Sequence, residues 1–248
     1  MEKNMTINQG NRKSNAVFDS VKTSAARASA AAVKPRKVND QSVGEEIGNA
    51  VTHGVGAALA IAGMVCMIVR AATKGTTIDI VSSAIYGSTL FILFMNSTLY
   101  HSITNFNVKK VLRVFDHCSI FLLILGSYTP LTLSLIGGSR GWLLFGMNAA
   151  CALTGITLNA IDLKKWKMFS LGLYVIMGWS VVLFGKTVIE LVDVRGLFLL
   201  ILGGVFYTTG IVFYVVHKKY FHFIWHFFVL AGAIAHYFFF YTYCIVCQ

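Results

Sequence analysis

The chain has 248 residues, 56% hydrophobic and only 12% charged, with a formal charge of +11 and a mean hydropathy of +0.68. That balance excludes a water-covered globule and points to a protein whose solvent is lipid. It excludes a nucleic-acid protein as well, because the lysines and arginines gather at the ends of apolar segments rather than along one groove-fitting face.

Residues 1–40 are rich in Ser, Ala, Asn and Lys and hold Phe18 as their only aromatic, too little apolar surface to fold alone. Residues 1–42 are therefore read as a disordered, basic cytoplasmic leader. It lacks the apolar run of a signal peptide, so the first span is expected to do its own targeting. Residues 43–248 read as an all-α membrane domain. Seven uncharged windows occur in it, at Val51–Val69, Ile80–Leu99, Val114–Leu135, Gly141–Ile161, Met168–Gly185, Gly196–Val216 and His222–Val246, and together they hold one charged side chain, Asp116. Each window is close to the roughly 20 residues an apolar helix needs to cross the hydrocarbon core, which predicts seven transmembrane helices.

Orientation follows from the basic residues. Eight lie in the first 48 residues and eight more follow spans two, four and six: Lys109, Lys110, Arg113, Lys164, Lys165, Lys167, Lys218 and Lys219. The opposite side has only Arg70, Lys74, Arg140, Lys186 and Arg195. This bias predicts a cytoplasmic N-terminus and an external C-terminus, and the chain is expected to be a multi-pass protein of the plasma (cell inner) membrane.

Within the spans, most unusual residues have ordinary readings. Span one is lined with small residues from Gly54 to Gly63, which let helix backbones approach closely. Pro130 is expected to kink span three, with hydroxyls nearby able to satisfy the freed carbonyls. Trp142, Trp166 and Trp225 fall near predicted interfaces. Cys66, Cys118 and Cys151 read as small core residues, and Cys244 and Cys247 form a Cys-x-x-Cys that lacks a second pair or a neighbouring histidine.

Polar residues gather at one depth. Asp116 opens span three, His101 ends span two with Ser97 one turn earlier, and His222 and His226 open span seven at a spacing that stacks both on one face. Glu46, Asn49, Thr52 and His53 begin span one. Ionisable groups in a membrane are costly and mark function. A single histidine near a helix end is ordinarily an interfacial side chain, and His117, His217 and His236 keep that reading. Three imidazoles from two helices, however, can bind zinc and leave one tetrahedral position open, with Asp116 placed to accept a proton and Ser97 facing the same centre. A proton relay without metal is the alternative.

The runs Glu46-Ile47-Gly48-Asn49-Ala50-Val51-Thr52-His53, Ser97-Thr98-Leu99-Tyr100-His101, Asp116-His117 leading to Gly126-Ser127-Tyr128-Thr129-Pro130, and His222-Phe223-Ile224-Trp225-His226 resemble the hemolysin III family, within the wider group of progestin and adipoQ receptors. The resemblance covers roughly Val43 to Tyr243. It implies seven helices, an intracellular N-terminus and a Zn2+ ion held by His101, His222 and His226. By the same resemblance Asp116 acts through the zinc-bound water, Ser97 lies close to the metal, and Glu46, Asn49 and His53 form a supporting motif.

Three functions compete. The first is a ceramidase-like, zinc-dependent hydrolase of lipid amides or esters, with membrane lipids as its partners and a place in lipid homeostasis. The second is a membrane sensor with structural zinc, and the third a pore-forming hemolysin acting by cytolysis. No span carries the continuous polar stripe a pore needs, which ranks cytolysis last. No further cofactor site is expected, and no protein partner is named by the sequence.

Overall fold

The computed structural model describes residues 41–245 together with Ser20, Lys22 and Thr23. The leader expected over residues 1–42 thus lies outside the described residues, apart from those three and Gln41 and Ser42. Cys247 and Gln248 lie outside them too.

α1 (Val43–Lys74) and α2 (Thr77–Ser102) both start from capping boxes. The Ser42 N–H donates to the Glu45 carboxylate at 2.9 Å and the Thr76 N–H to Asp79 at 2.7 Å, while each hydroxyl accepts from the backbone three residues on. Buried positions on α1 run Glu45, Asn49, Thr52, His53, Gly56, Ala57 and Ala60, the stripe a 3.6-residue period turns inward. Val51, Val55 and Leu59 between them are exposed and apolar, as a face toward lipid requires.

α3 (Phe106–Thr129) runs on into a π-helical turn, Pro130–Ile136. Proline has no N–H for the carbonyl four residues back, here that of Gly126. The Thr129 hydroxyl donates to that same carbonyl at 2.6 Å, and the Thr132 hydroxyl to the Tyr128 carbonyl at 2.5 Å. The hydroxyls expected to repair the proline break do so.

Gly138–Trp179 is helical except at Asp162, whose backbone lies at φ −157°, ψ 92°. This divides it into α4, residues 138–161, and α5, residues 163–179. Asp162 Oδ1 accepts from the Lys165 N–H at 3.0 Å and so caps the second arm. α5 is followed by a 3-10 segment, Ser180–Phe184, and a short helix, Gly185–Leu191. α6 (Val194–Val215) starts from Asp193, which accepts from the Gly196 N–H at 2.9 Å and the Tyr243 hydroxyl at 2.7 Å. The Gly196 bond, then the Tyr243 bond, holds this carboxyl below its ordinary value, so the cap weakens as pH falls through that lowered value. α7 (Phe221–Phe239) ends in a π turn, Phe240–Cys244.

Six helical runs among the described residues are long and apolar enough to cross a membrane. The sequence windows number seven because the fourth run, Gly138–Leu191, holds two of them, Gly141–Ile161 and Met168–Gly185, on either side of Asp162. Its 54 residues, at 1.5 Å each, would measure about 80 Å if straight, against roughly 30 Å of hydrocarbon.

Neighbours pack in chain order. α1 lies along α2, α2 along α3, α3 along the α4–α5 run, and α6 along α7, which returns to α1, whereas the α4–α5 run meets α6 only sparingly. Close approach depends on glycine at a few crossings. A Cβ on Gly155 would strike the Phe121 ring, and one on Gly56 would reach within 2.9 Å of Phe94. Gly155→Ala is expected to cost about 1–3 kcal/mol by overpacking, read as a lowered melting temperature in detergent. Phe121→Leu in the same chain is expected to recover part of the loss.

Candidate metal centre

Two adjacent glutamates at the start of α1 organise the site. Successive helical residues point about 100° apart, so the two side chains reach different partners. Glu45 accepts from the Tyr220 N–H at 2.6 Å, which fixes the chain where it enters α7; Tyr220 itself is left-handed at φ 64°. Two residues later comes His222. Glu46 reaches the end of α2 instead, with Oε2 2.7 Å from His101 Nδ1, while Oε1 lies 2.9 Å from Lys109 Nζ on α3.

The carboxylate can only accept, so His101 Nδ1 carries the proton and Nε2 is left with a bare lone pair. His101 Nε2, His222 Nε2 and both ring nitrogens of His226 are buried without a hydrogen-bond partner. One ligand atom from each of the three residues lies within 4.8 Å of the other two. Ring centroids are 5.3 Å apart for His101 and His222, 5.0 Å for His101 and His226, and 4.9 Å for His222 and His226. Buried polar nitrogens left unpaired cost roughly 1–3 kcal/mol each. Three lone pairs that converge in a low-dielectric interior suit a divalent metal, and the set leaves a fourth position free. The Glu46–His101 pair is the carboxylate–histidine arrangement that orients a metal ligand.

The remaining expected residues sit around this cluster. His53 is buried and stacks on His226 at 3.7 Å between centroids, both its nitrogens unpaired. Asn49 Nδ2 donates to Gln41 Oε1 at 2.9 Å and lies 3.4 Å from His101 Nδ1. Ser97 Oγ, one turn before His101, is buried with no partner. Asp116 is buried, with its carboxylate 3.6 Å from His117 Nδ1. Asp116 is not among the converging ligands; it lines the cavity beside them.

The other histidines are placed elsewhere. His117 donates from Nδ1 to the Arg113 carbonyl at 2.8 Å, and its Nε2 lies 3.3 Å from the Tyr214 hydroxyl. His236 donates to the Leu200 carbonyl at 3.1 Å, and His217 is exposed.

Lys109 is a correction to the sequence reading. Its charge was assigned to a cytoplasmic loop, yet the side chain is buried, bonded to Glu46 and to the Tyr100 carbonyl at 3.0 Å. Uncharged windows end span three at Val114, whereas the helix starts eight residues earlier and carries Lys109 inward. Glu45 was missed as well. The Ser42-x-x-Glu45 spacing marks a capping box in sequence, but nothing local points from it to Tyr220.

A cavity lies within the bundle beside the cluster. His53, Asp116, Tyr214 and Trp225 line the end near the cluster, and Leu93, Ile120, Leu123, Ile124 and Val229 form an apolar wall beyond. None of the three converging histidines lines it; their neighbours do. Trp225 packs against His226 and His222 at 5.2 and 4.9 Å between centroids.

Fold and site together define a multi-pass helical membrane protein with a histidine cluster able to hold a metal at one end of its bundle. The chain belongs to the haemolysin-III-related family, whose pattern matches residues 41–237. It is 40% identical to the hemolysin-3 homolog of Bacillus subtilis (strain 168) over 202 residues, 81% of this chain and 95% of that protein. It is 39% identical to hemolysin-3 of Bacillus cereus over 194 residues, 78% of this chain and 89% of the relative. A more distant relative is the human monocyte to macrophage differentiation factor, 31% identical over 171 residues that cover 64% of this chain and 68% of the human protein.

Glu46→Gln keeps the shape but loses the charge that orients His101, and it is expected to lower metal affinity by roughly 10–100-fold. His222→Ala and His226→Ala are expected to abolish stoichiometric zinc, while His236→Ala retains it. Zinc content after purification and competition with a chelating dye measure both. Equal zinc in all four variants would remove the centre from these residues.

Proposed function

We propose that this protein is a zinc-dependent hydrolase of lipid amide or ester bonds, acting within the plasma membrane in lipid homeostasis. The observation that carries this reading is the pairing of a histidine cluster, with unpaired nitrogens, and an adjoining, largely apolar cavity that His53 and Asp116 help to line. His101, His222 and His226 would hold the ion, which when bound supplies Lewis acidity toward a carbonyl and toward water.

The chain's own groups divide the rest of the work. Asp116 receives the proton given up by the attacking water and passes it to the leaving group. Glu46, itself held by Lys109, keeps His101 in the tautomer that exposes Nε2. The apolar wall seats an acyl chain and keeps bulk water from the reacting bond. The substrate reaches the cavity from the bilayer between α5 and α6, where Val175, Trp179, Gly204 and Thr208 are shared between the wall and the protein surface. The name hemolysin-3, carried by the Bacillus cereus relative, suggests lysis for that protein. An apolar cavity wall suits an acyl chain better than a conducting column of water.

The same reading takes the chain to cross the membrane seven times, α4 and α5 as separate crossings. The excess of lysine and arginine beside the even-numbered connections supports a cytoplasmic N-terminus and an external C-terminus. Reporters fused after Lys167 and after Gln248 are expected on the cytoplasmic and external sides respectively. Both on one side would remove the seven-span arrangement.

Asp116→Asn tests the chemistry. It keeps size and some hydrogen bonding but cannot take a proton, so zinc is expected to stay bound while lipid hydrolysis falls by about 10²-fold or more. A joint loss of zinc and thermal stability would make Asp116 a structural counter-charge instead. The measurements are zinc stoichiometry, melting temperature and turnover of ceramide-like and phospholipid substrates. A zinc-replete wild type that hydrolyses none of them would favour a sensor.

A further inference from the structure

The cavity is lined on α3 by Asp116 and Ile120, on α5 by Leu171 and Tyr174, and on α6 by Tyr214. One turn further toward the same end, the faces of α3 and α5 both carry a cation. Arg113 stands three residues before Asp116 and seven before Ile120, and Lys167 stands four before Leu171 and seven before Tyr174. Those spacings keep each cation on the lining face of its helix. Both side chains are half-buried, and each lies within electrostatic reach of the other.

Tyr214 joins this rim to the cavity. His117 donates from Nδ1 to the Arg113 carbonyl, so its Nε2 accepts from the Tyr214 hydroxyl at 3.3 Å. That bond fixes a phenol ring that walls the cavity, and the Lys167 ammonium lies over the same ring, 5.0 Å from its centroid, within cation–π range.

A lysine near the end of a spanning helix is ordinarily a topological charge turned toward water. Lys164 and Lys165 fit that account, since both are exposed. Lys167 does not. It is half-buried beside the cavity wall, and no carboxylate pairs with it among the described residues. A half-buried ammonium with three donors, set beside a second cation, suits an anion. Asp116, deeper on the same wall, repels a negative group further in and so confines it to the rim.

We propose that Lys167, with Arg113 adding charge, recognises the phosphate of a lipid whose apolar chain lies in the cavity. The lipid class is therefore phosphate-bearing, and a neutral ceramide lacks the group that this rim takes. Which bond of the lipid is then cut rests on the hydrolase reading; recognition of its phosphate does not.

The test is binding of dodecylglycerol phosphate and of dodecylglycerol to the purified full chain in non-ionic detergent, by displacement of a fluorescent alkylglycerol. Each carries an ether where a natural lipid has an ester, so neither is consumed by acyl hydrolysis. The phosphate form is expected to bind about 10-fold more tightly. Inorganic phosphate at the same concentration is expected to displace neither. Lys167→Gln is expected to bring the ratio below about 3-fold with dodecylglycerol binding unchanged, whereas Lys167→Arg keeps most of it. Lys164→Gln, which removes an exposed charge nearby in sequence, is expected to leave the ratio intact.

Equal binding of the pair to wild type, binding of neither, or an undiminished ratio in Lys167→Gln would each overturn the proposal. An equal fall in Lys164→Gln would do so too, since it would show general surface charge at work, and displacement by inorganic phosphate would make the site one for a free anion. Loss of dodecylglycerol binding in Lys167→Gln would make the ammonium a structural group, with the same result. A protein that discriminates the pair yet hydrolyses no lipid keeps the phosphate site and loses the hydrolase reading. One that hydrolyses neutral and phosphate-bearing lipids alike, without discrimination in binding, does the reverse.

Discussion

Two adjacent carboxylates at one end of α1 set the geometry on which the metal centre depends. Glu45 fixes the entry to α7 through the Tyr220 N–H, and Glu46 joins His101 on α2 to Lys109 on α3. Four helices are thereby tied at the depth where three histidines meet. Charge-assisted bonds of this kind are worth more in a low-dielectric interior than at a wet surface. Burying the ions costs desolvation energy as well, so their contribution is best seen as register and orientation rather than net stability. Removing Glu46 would leave Lys109 buried and uncompensated and would free His101 to rotate.

Small residues complete what the carboxylates begin. A Cβ on Gly48 would come within 2.8 Å of the Phe223 ring, one residue after His222. α1 therefore lies close enough to α7 for His53 to stack on His226 at 3.7 Å, and Gly56 gives α2 the same access through Phe94. The imidazole cluster so formed has no internal partner for several of its nitrogens. It is a poor way to stabilise a bundle by itself and a good way to couple folding of this end to a bound ion.

Much of this was legible in the sequence because a bilayer leaves few choices. Windows without charge had to be helices, and polar residues in or just beside them had to have a use, so His222 and His226 emerge from their spacing and His101 from its depth at the end of span two. The same rule hid other parts. It ended span one at Val51 and span three at Val114, setting Glu46 apart from its contacts and counting Lys109 as a topological charge, although both helices run further and bury these residues. Asp162 stood in a short basic connection. That it would cap a second helix without an intervening loop depends on its extended backbone, which periodicity does not report.

The placement of the cavity follows from which helices α5 is tied to. Tyr128 on α3 donates to the Gly178 carbonyl at 3.2 Å and accepts from the Val181 N–H at 3.0 Å, while Tyr174 on α5 donates to the His117 carbonyl at 2.8 Å. Both ties hold α5 to α3, and both tyrosines line the cavity. Toward α6, Trp179 Nε1 on α5 donates to the Thr208 hydroxyl at 3.0 Å, between exposed residues. α6 in turn is bound to α7 along its length, with the Gly203 and Gly210 crossings tight against His236 and Phe228. The bundle is thus two well-packed groups that meet on one side through α1 and on the other across a seam with little between its helices. Val175 and Trp179 on one side of that seam and Gly204 and Thr208 on the other line part of the cavity, whose remaining, largely apolar wall comes from α1, α2, α3 and α7.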